Sequence, residues 1–281
     1  MLFYKEVVQK LKFPNNFNSL KEKNMKKIFA AALLLMSASL LFAQDAASII
    51  NSARNRIQMN TLSSRSRLVI TARDGSTSER VIDQYSKDGP NGSRTVIVFQ
   101  QPASVAGTRF LTMENAQGGS DLWIFLPNLG RVRRVAASES GGSFMGTDFS
   151  YDDISALSRD VSLDTHTMLR EEALNGAACY VIQSVPASSS YQYSRTVSWV
   201  DKSNSMIYKT EMYNRRGELA KVMEMSNFRE TQGRLTPMQT RITTASAGTS
   251  TTINLDILKY DDPIPEGVFT TAYLETGRVP R

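Results

Sequence analysis

The chain has one cysteine and one histidine in 281 residues. A single thiol excludes an intramolecular disulfide. Cys179 sits in the apolar run ALNGAACYVIQSV, which predicts a packed, inert side chain. His166 has threonine on both sides and no Cys or acid at ligand spacing. Zinc sites and Ser-His-Asp or Cys-His catalysis therefore have almost no material, and no metal or cofactor is expected. Long hydrophobic runs are scarce too. The apolar stretch from Ile28 to Leu41 is short for a bilayer span.

That stretch follows Met25-Lys26-Lys27 and ends at the small residue Ala43, the layout of a signal peptide. The expected organisation is an extension over 1–24 ahead of the true start, a signal peptide over 25–43, and a single mature domain over 44–281. No Cys lies near the cut, so the exported product carries no N-terminal lipid and is expected in the periplasm. The segment also explains the basic balance. Seven of the 33 basic residues and two of the 27 acidic ones precede Gln44, leaving 26 against 25. A near-neutral domain gives no reason to expect nucleic acid.

DAASIINSARNRIQMN, Asp45 to Asn60, has apolar residues at helical spacing behind a capping Asp. Beyond it the period changes to two. RSRLVITARDG, ERVIDQYSKDG and SRTVIVFQQP read as strands divided by Asp-Gly turns, and AGTRFLTMEN, DLWIFLPNLG and RVRRVAAS continue. CYVIQSVP, RTVSWVD, MIYKTEMYN, ELAKVMEMSNFRE, LTPMQTRITTA and TTINLDILKY repeat the pattern. About eleven strands, twelve at most, exceed what a flat open sheet holds without curling. The predicted fold is mainly β: a highly curved antiparallel sheet, an unclosed barrel, with a few helices over its concave face. Leu122, Ile124 and Leu126 point one way and Trp123 and Phe125 the other, so this strand must be covered on both sides. Ile253, Leu255 and Ile257 alternate with polar residues as in a half-exposed strand.

PNLGRVRRVAASESGGSFMGTDFSY, Pro127 to Tyr151, differs from its surroundings. Arg131, Arg133 and Arg134 precede a glycine-rich loop holding Phe144 and Met145, and Asp148, Phe149 and Tyr151 close it. Two readings stand side by side. One is a turn tied to the sheet by Arg-Asp pairs. The other is a lid, whose Phe144, Met145 and Phe149 line an apolar mouth while Arg131, Arg133, Arg134 and Asp148 meet a headgroup or partner. A phosphate loop is excluded, because no Lys-Ser or Lys-Thr follows the glycines. Asp148, Asp152 and Asp153, clustered beside arginines, read as a salt-bridged surface rather than an acid/base pair, so a hydrolase is not expected.

PASVAGTRFLT (Pro102 to Thr112), DLWIFLP (Asp121 to Pro127) and LGRVRRVAASESGGSFMGTDFSY (Leu129 to Tyr151) resemble the outer-membrane lipoprotein-sorting, LolA-like family. The resemblance implies a LolA/LolB fold whose cavity holds acyl chains. It implies a non-enzymatic, monomeric periplasmic carrier of lipoprotein acyl chains or lipid, serving an inner-membrane transporter and an outer-membrane acceptor. An alternative of the same fold is a sensor or scaffold that binds a membrane protein such as a transporter of the resistance-nodulation-division type. Arg65 and Arg67 are the candidates for the family's lid-contacting arginine. The candidate apolar lining is Phe110, Met113, Trp123, Phe125, Phe144, Met145, Phe149, Trp199, Met212, Met223 and Met225. Methionines suit such a surface because they adapt to irregular cargo.

Overall fold

A computed structural model of the protein describes residues 46–280 except 90–91, 116–119 and 156–159. The expected signal peptide and the extension before it lie outside the described residues. The first half of the chain forms β1 (Thr61–Thr71), β2 (Thr77–Lys87), β3 (Arg94–Gln101), β4 (Arg109–Glu114), β5 (Ser120–Leu126) and β6 (Arg131–Arg134). The second half forms β7 (Asp164–Leu174), β8 (Ala177–Pro186), β9 (Arg195–Asp201), β10 (Ile207–Tyr213), β11 (Leu219–Thr231), β12 (Arg234–Thr244) and β13 (Thr249–Tyr260). Helices are short: α1 over 46–54, α2 (Tyr151–Ser155) and α3 (Thr271–Thr276).

All thirteen strands join one sheet in the order β6-β5-β4-β3-β2-β1-β13-β12-β11-β10-β9-β8-β7. Every neighbouring pair is antiparallel. The pairing of β1 with β13 fuses the two halves and leaves β6 and β7 as free edges. Those edges are consecutive in sequence, so the segment between them, 135–163, must travel from one margin of the sheet to the other.

The inner face shows that the sheet curls. Leu122 and Ile124 of β5 share one apolar cluster with Met212 of β10 and Ile242 of β12. On a flat sheet β5 and β10 would stand roughly 38 Å apart, at about 4.8 Å per strand. Phe144 and Phe149 of the crossing segment complete that cluster. Helix α1 covers a second part of the inner face, packing Ala46 and Ile50 against Ile182 of β8 and Val200 of β9.

The double-sided strands are covered on both sides, as their sequence requires. Val96, Val98, Leu111 and Phe125 face outward and are buried by Val268, Phe269 and Leu274 of the C-terminal segment. Thr270 caps α3 through its hydroxyl, and Arg109 donates to the carbonyl of Leu274 at 2.7 Å. Gly277 ends α3 at φ 68°, and a Cβ there would stand 2.6 Å from the Arg109 guanidinium. Gly277→Ala should therefore cost about 1–2 kcal/mol from the left-handed backbone alone. Urea unfolding checks this, and an unchanged midpoint would contradict the clasp.

Three details differ from the sequence reading. Thirteen strands form rather than about eleven, because β7 is added: DTHTMLREEAL is an edge strand with Leu169, Arg170 and Glu171 exposed, so its alternation is faint. Helix α1 stops at residue 54, where Asn55 turns its amide back onto Asn51 at 2.8 Å. Ile257 leaves the face of Ile253 and Leu255 because a bulge opposite Arg65/Ser66 shifts the alternation. Ile257 is consequently half exposed. Among the described residues no helix is long and apolar enough to cross a membrane.

Candidate functional site

The crossing segment enters the curled sheet as a miniature hairpin. Ser143 and Ser150 form an antiparallel bridge. The Phe144 amide donates to Phe149 at 2.7 Å, and the Thr147 amide donates to Phe144 at 3.1 Å. Met145 and Gly146 occupy the tip with φ of 53° and 78°. Positive φ at both central residues is the tight turn that suits a two-residue hairpin, and it explains the glycine at 146. Met145 takes the same strained region without being glycine.

This turn drives two aromatic rings inward. Phe144 is 1% exposed and Phe149 is 5% exposed. The Phe144 ring stacks 4.5 Å from Phe110 and 5.7 Å from Phe99, with Tyr151 edge-on at 5.9 Å. Such tilted and edge-on contacts are the favoured aromatic geometries. The hairpin is thus an aromatic plug in the hollow of the sheet.

Two carboxylates pin the plug. Asp148 is buried and accepts hydrogen bonds from the hydroxyls of Thr244 at 2.6 Å, Thr249, and Thr251 at 2.8 Å. Its own amide donates to Thr251 at 2.9 Å. The loop is therefore tied to β12 and β13 by threonines, not by arginines. Asp153 makes a reciprocal cap with Ser150: the Ser150 amide donates to its carboxylate at 2.8 Å, and its amide donates to the Ser150 hydroxyl at 3.1 Å. The same carboxylate meets Lys221 at 2.7 Å and accepts from the Tyr193 hydroxyl at 2.7 Å. Burial first, and then the Asp153 charge, push the Tyr193 phenol far above its ordinary range. Gln192 adds a bond to the Ser150 hydroxyl at 2.6 Å.

Six of the expected lining residues meet here: Phe110, Phe144, Met145, Phe149, Met212 and Met223. Met225, on the Met223 side of β11, is partly exposed outside the cluster. Four others lie on the outer face and are corrected accordingly. Met113, Trp123 and Phe125 pack with the C-terminal segment. Trp199 packs with Cys179, Val181 and Val197, and its indole donates to Glu172. The physical reason is strict alternation: Phe110 and Ile124 point inward, so their neighbours Leu111, Trp123 and Phe125 point outward. The sequence reading missed Phe99, Tyr193 and Asp153. Phe99 was legible as the residue two beyond Ile97 on one strand face; Tyr193 and Asp153 carried no local signal.

The arginines are also placed differently. Arg133 pairs with Glu139 at 2.7 Å, and Arg134 pairs with Asp121. The Arg133 hydrogen bond, helped by the Ala136 amide, holds the Glu139 carboxyl below its usual range. Arg131 is exposed. Asp148 is spent on the threonines and is no external contact. Arg65 and Arg67 alternate with the inward Ser66 and Leu68, so both face away from the plug. Arg65 grips Asp83 through two bonds of 2.7 and 2.8 Å, and Arg67 lies 3.9 Å from Glu79.

Two clefts open in the domain, the first of them beside the plug. One, of about 610 Å³, runs between the β5–β6 margin and the turn before β9, with Leu122, Tyr151 and Tyr191 in its walls. The other, of about 580 Å³, lies between α1 and strands β1 to β3 and is lined mainly by polar residues. Both are in the size range of small-ligand pockets. Among the described residues no group of three or more His, Cys, Asp or Glu could hold a metal ion.

A family model described as that of an uncharacterized protein matches residues 91–276. No curated protein matches the chain. Among solved structures, a domain described as outer membrane lipoprotein-sorting from Vibrio parahaemolyticus is 26% identical with a TM-score of 0.78. The match covers 83% of this chain and 99% of that one. A DUF1329 family protein from Desulfovibrio piger is 27% identical at a TM-score of 0.79, again over 83% and 99%. A LolA superfamily protein from Nitrosomonas europaea shares the fold, at 23% identity and a TM-score of 0.66 over 81% and 98%.

Proposed function

We propose, from the premise that the chain belongs to the outer-membrane lipoprotein-sorting, LolA-like family, that it is a periplasmic, non-enzymatic carrier of acyl chains. In this reading the chains belong to a lipoprotein or a lipid bound for the outer membrane. One observation carries it: the inner face is filled by a short hairpin of the crossing segment rather than by a second sheet. A hollow filled that way is one that a ligand can fill instead.

The magnitudes favour exchange. Burying one phenylalanine side chain contributes about 1.5–3 kcal/mol, whereas an acyl chain contributes about 0.8 kcal/mol per methylene. A chain of a dozen or so methylenes therefore outweighs Phe144 and Met145 together. Phe149 follows Asp148 and stays with its threonine anchor; the moving part is the tip, Ser143 to Thr147. The cargo's large gain makes its departure slow, so delivery requires an acceptor, or the returning plug, to drive release.

Purified protein freed of lipid should take up a fluorescent fatty acid with saturable, near-stoichiometric binding. Mass spectrometry of protein drawn gently from the native envelope should find co-purified acyl lipid. Absence of both would remove the carrier reading and leave the protein-binding scaffold.

A further inference from the structure

The cleft beside Tyr151 has a chemistry that the apolar plug does not explain. Its inner end is shared with the plug: Leu122 belongs to the inner cluster, and Tyr151, in the wall, packs edge-on to Phe144. Its lining also carries the exposed serines Ser188 and Ser190. A ligand whose chain replaced Phe144 would have its polar end in this cleft.

The charge of the cleft limits what that end can be. The cation in its lining, Arg134, is already paired with Asp121, another lining residue. Asp152 adds a further carboxylate to the wall. Recognition of a phosphate or carboxylate relies on charge-assisted bonds from a cation, and the one cation in the lining is already engaged. Arg133, next in line, is held by Glu139.

What the cleft offers instead is aromatic faces and hydroxyls. The Tyr191 ring is propped at 77° against Tyr193, with centroids 5.8 Å apart. Tyr193 is itself buried and bonded to Asp153, so the Tyr191 wall has a fixed orientation. Tyr151 forms part of the facing wall. The Ser120 hydroxyl oxygen is shut off from solvent and has no hydrogen-bond partner among the described residues. Buried polar atoms are nearly always paired, and an unpaired one calls for a missing partner. Aromatic walls that take the C–H face of a ring, with serines that exchange hydrogen bonds, match a neutral polyol.

We propose that this cleft is a headgroup subsite for an uncharged, hydroxyl-rich amphiphile such as a glycosylated lipid. The inference rests on the carrier reading and specifies its cargo.

Calorimetry with octyl glucoside, octyl phosphate and octyltrimethylammonium, each kept monomeric, tests it, since the three share one chain. The glucoside should bind at least about tenfold more tightly than the other two. Tyr191→Ala should erode that preference, and so should Ser120→Ala, a smaller change that leaves the aromatic wall standing. Equal affinity for all three compounds would overturn the subsite while leaving the carrier intact. Tighter binding of octyl phosphate, or a preference unchanged in both variants, would overturn it as well. Failure of every octyl compound to bind would remove the carrier and the subsite together.

Discussion

Phe144→Ala should lower stability by about 3–5 kcal/mol, the range for deleting a fully buried aromatic ring. For a domain of this size each kcal/mol corresponds to about 2–4 °C in Tm. The loss follows from three ring contacts within 6 Å and 1% exposure. The same variant should bind a fatty acid more tightly than the wild type. Phe144 and the chain compete for one surface, so removing the competitor leaves an apolar void with nothing to displace. A ligand that binds only the folded state then returns part of the lost stability. Thermal unfolding with and without dodecanoate measures both effects in one experiment. A variant that is destabilised but gains no affinity would make Phe144 ordinary core.

Asp153→Ala should be as damaging, by about 3–5 kcal/mol, because it strands a buried cation. The Lys221 and Asp153 side chains are 14% and 5% exposed. Removing the carboxylate also strips the cap from Ser150 and the acceptor from Tyr193. The reverse change, Lys221→Met, should cost less, since Asp153 keeps its bonds from the Ser150 amide, Tyr193 and Gln192. A double-mutant cycle read by urea unfolding separates the pair from the cap. Equal losses in the two single variants, summing in the double, would show that the two side chains act independently.

The strands were legible because alternation is a local property, and a half-buried strand displays it within a few residues. Twelve of the thirteen could be read that way. β7 escaped because an edge strand with Leu169, Arg170 and Glu171 exposed buries too little to show a pattern. The direction of each side chain was a harder matter. Strands β3 to β5 are apolar on both faces, and only the C-terminal segment's position tells which face is outward. Met113, Trp123 and Phe125 were therefore indistinguishable from Phe110 and Ile124 as lining. The plug was marked by its glycines, yet its fixity was hidden. Asp148 finds its partners at Thr244, Thr249 and Thr251, roughly a hundred residues away, where no motif announces them. Ordering that comes from such distant contacts is a property of the fold, not of the loop.

Whether an acyl chain evicts the tip of the plug can be read at residue 145. Met145 is half-buried against the inner cluster, and its replacement Met145→Cys, made with Cys179→Ser, leaves one thiol to follow. Adding dodecanoate should raise the rate at which a water-soluble maleimide modifies that thiol, with half-saturation at the concentration that gives half-maximal fatty-acid binding. Binding of dodecanoate with the thiol as slow to react as before would contradict the account, since cargo and plug would then occupy different places.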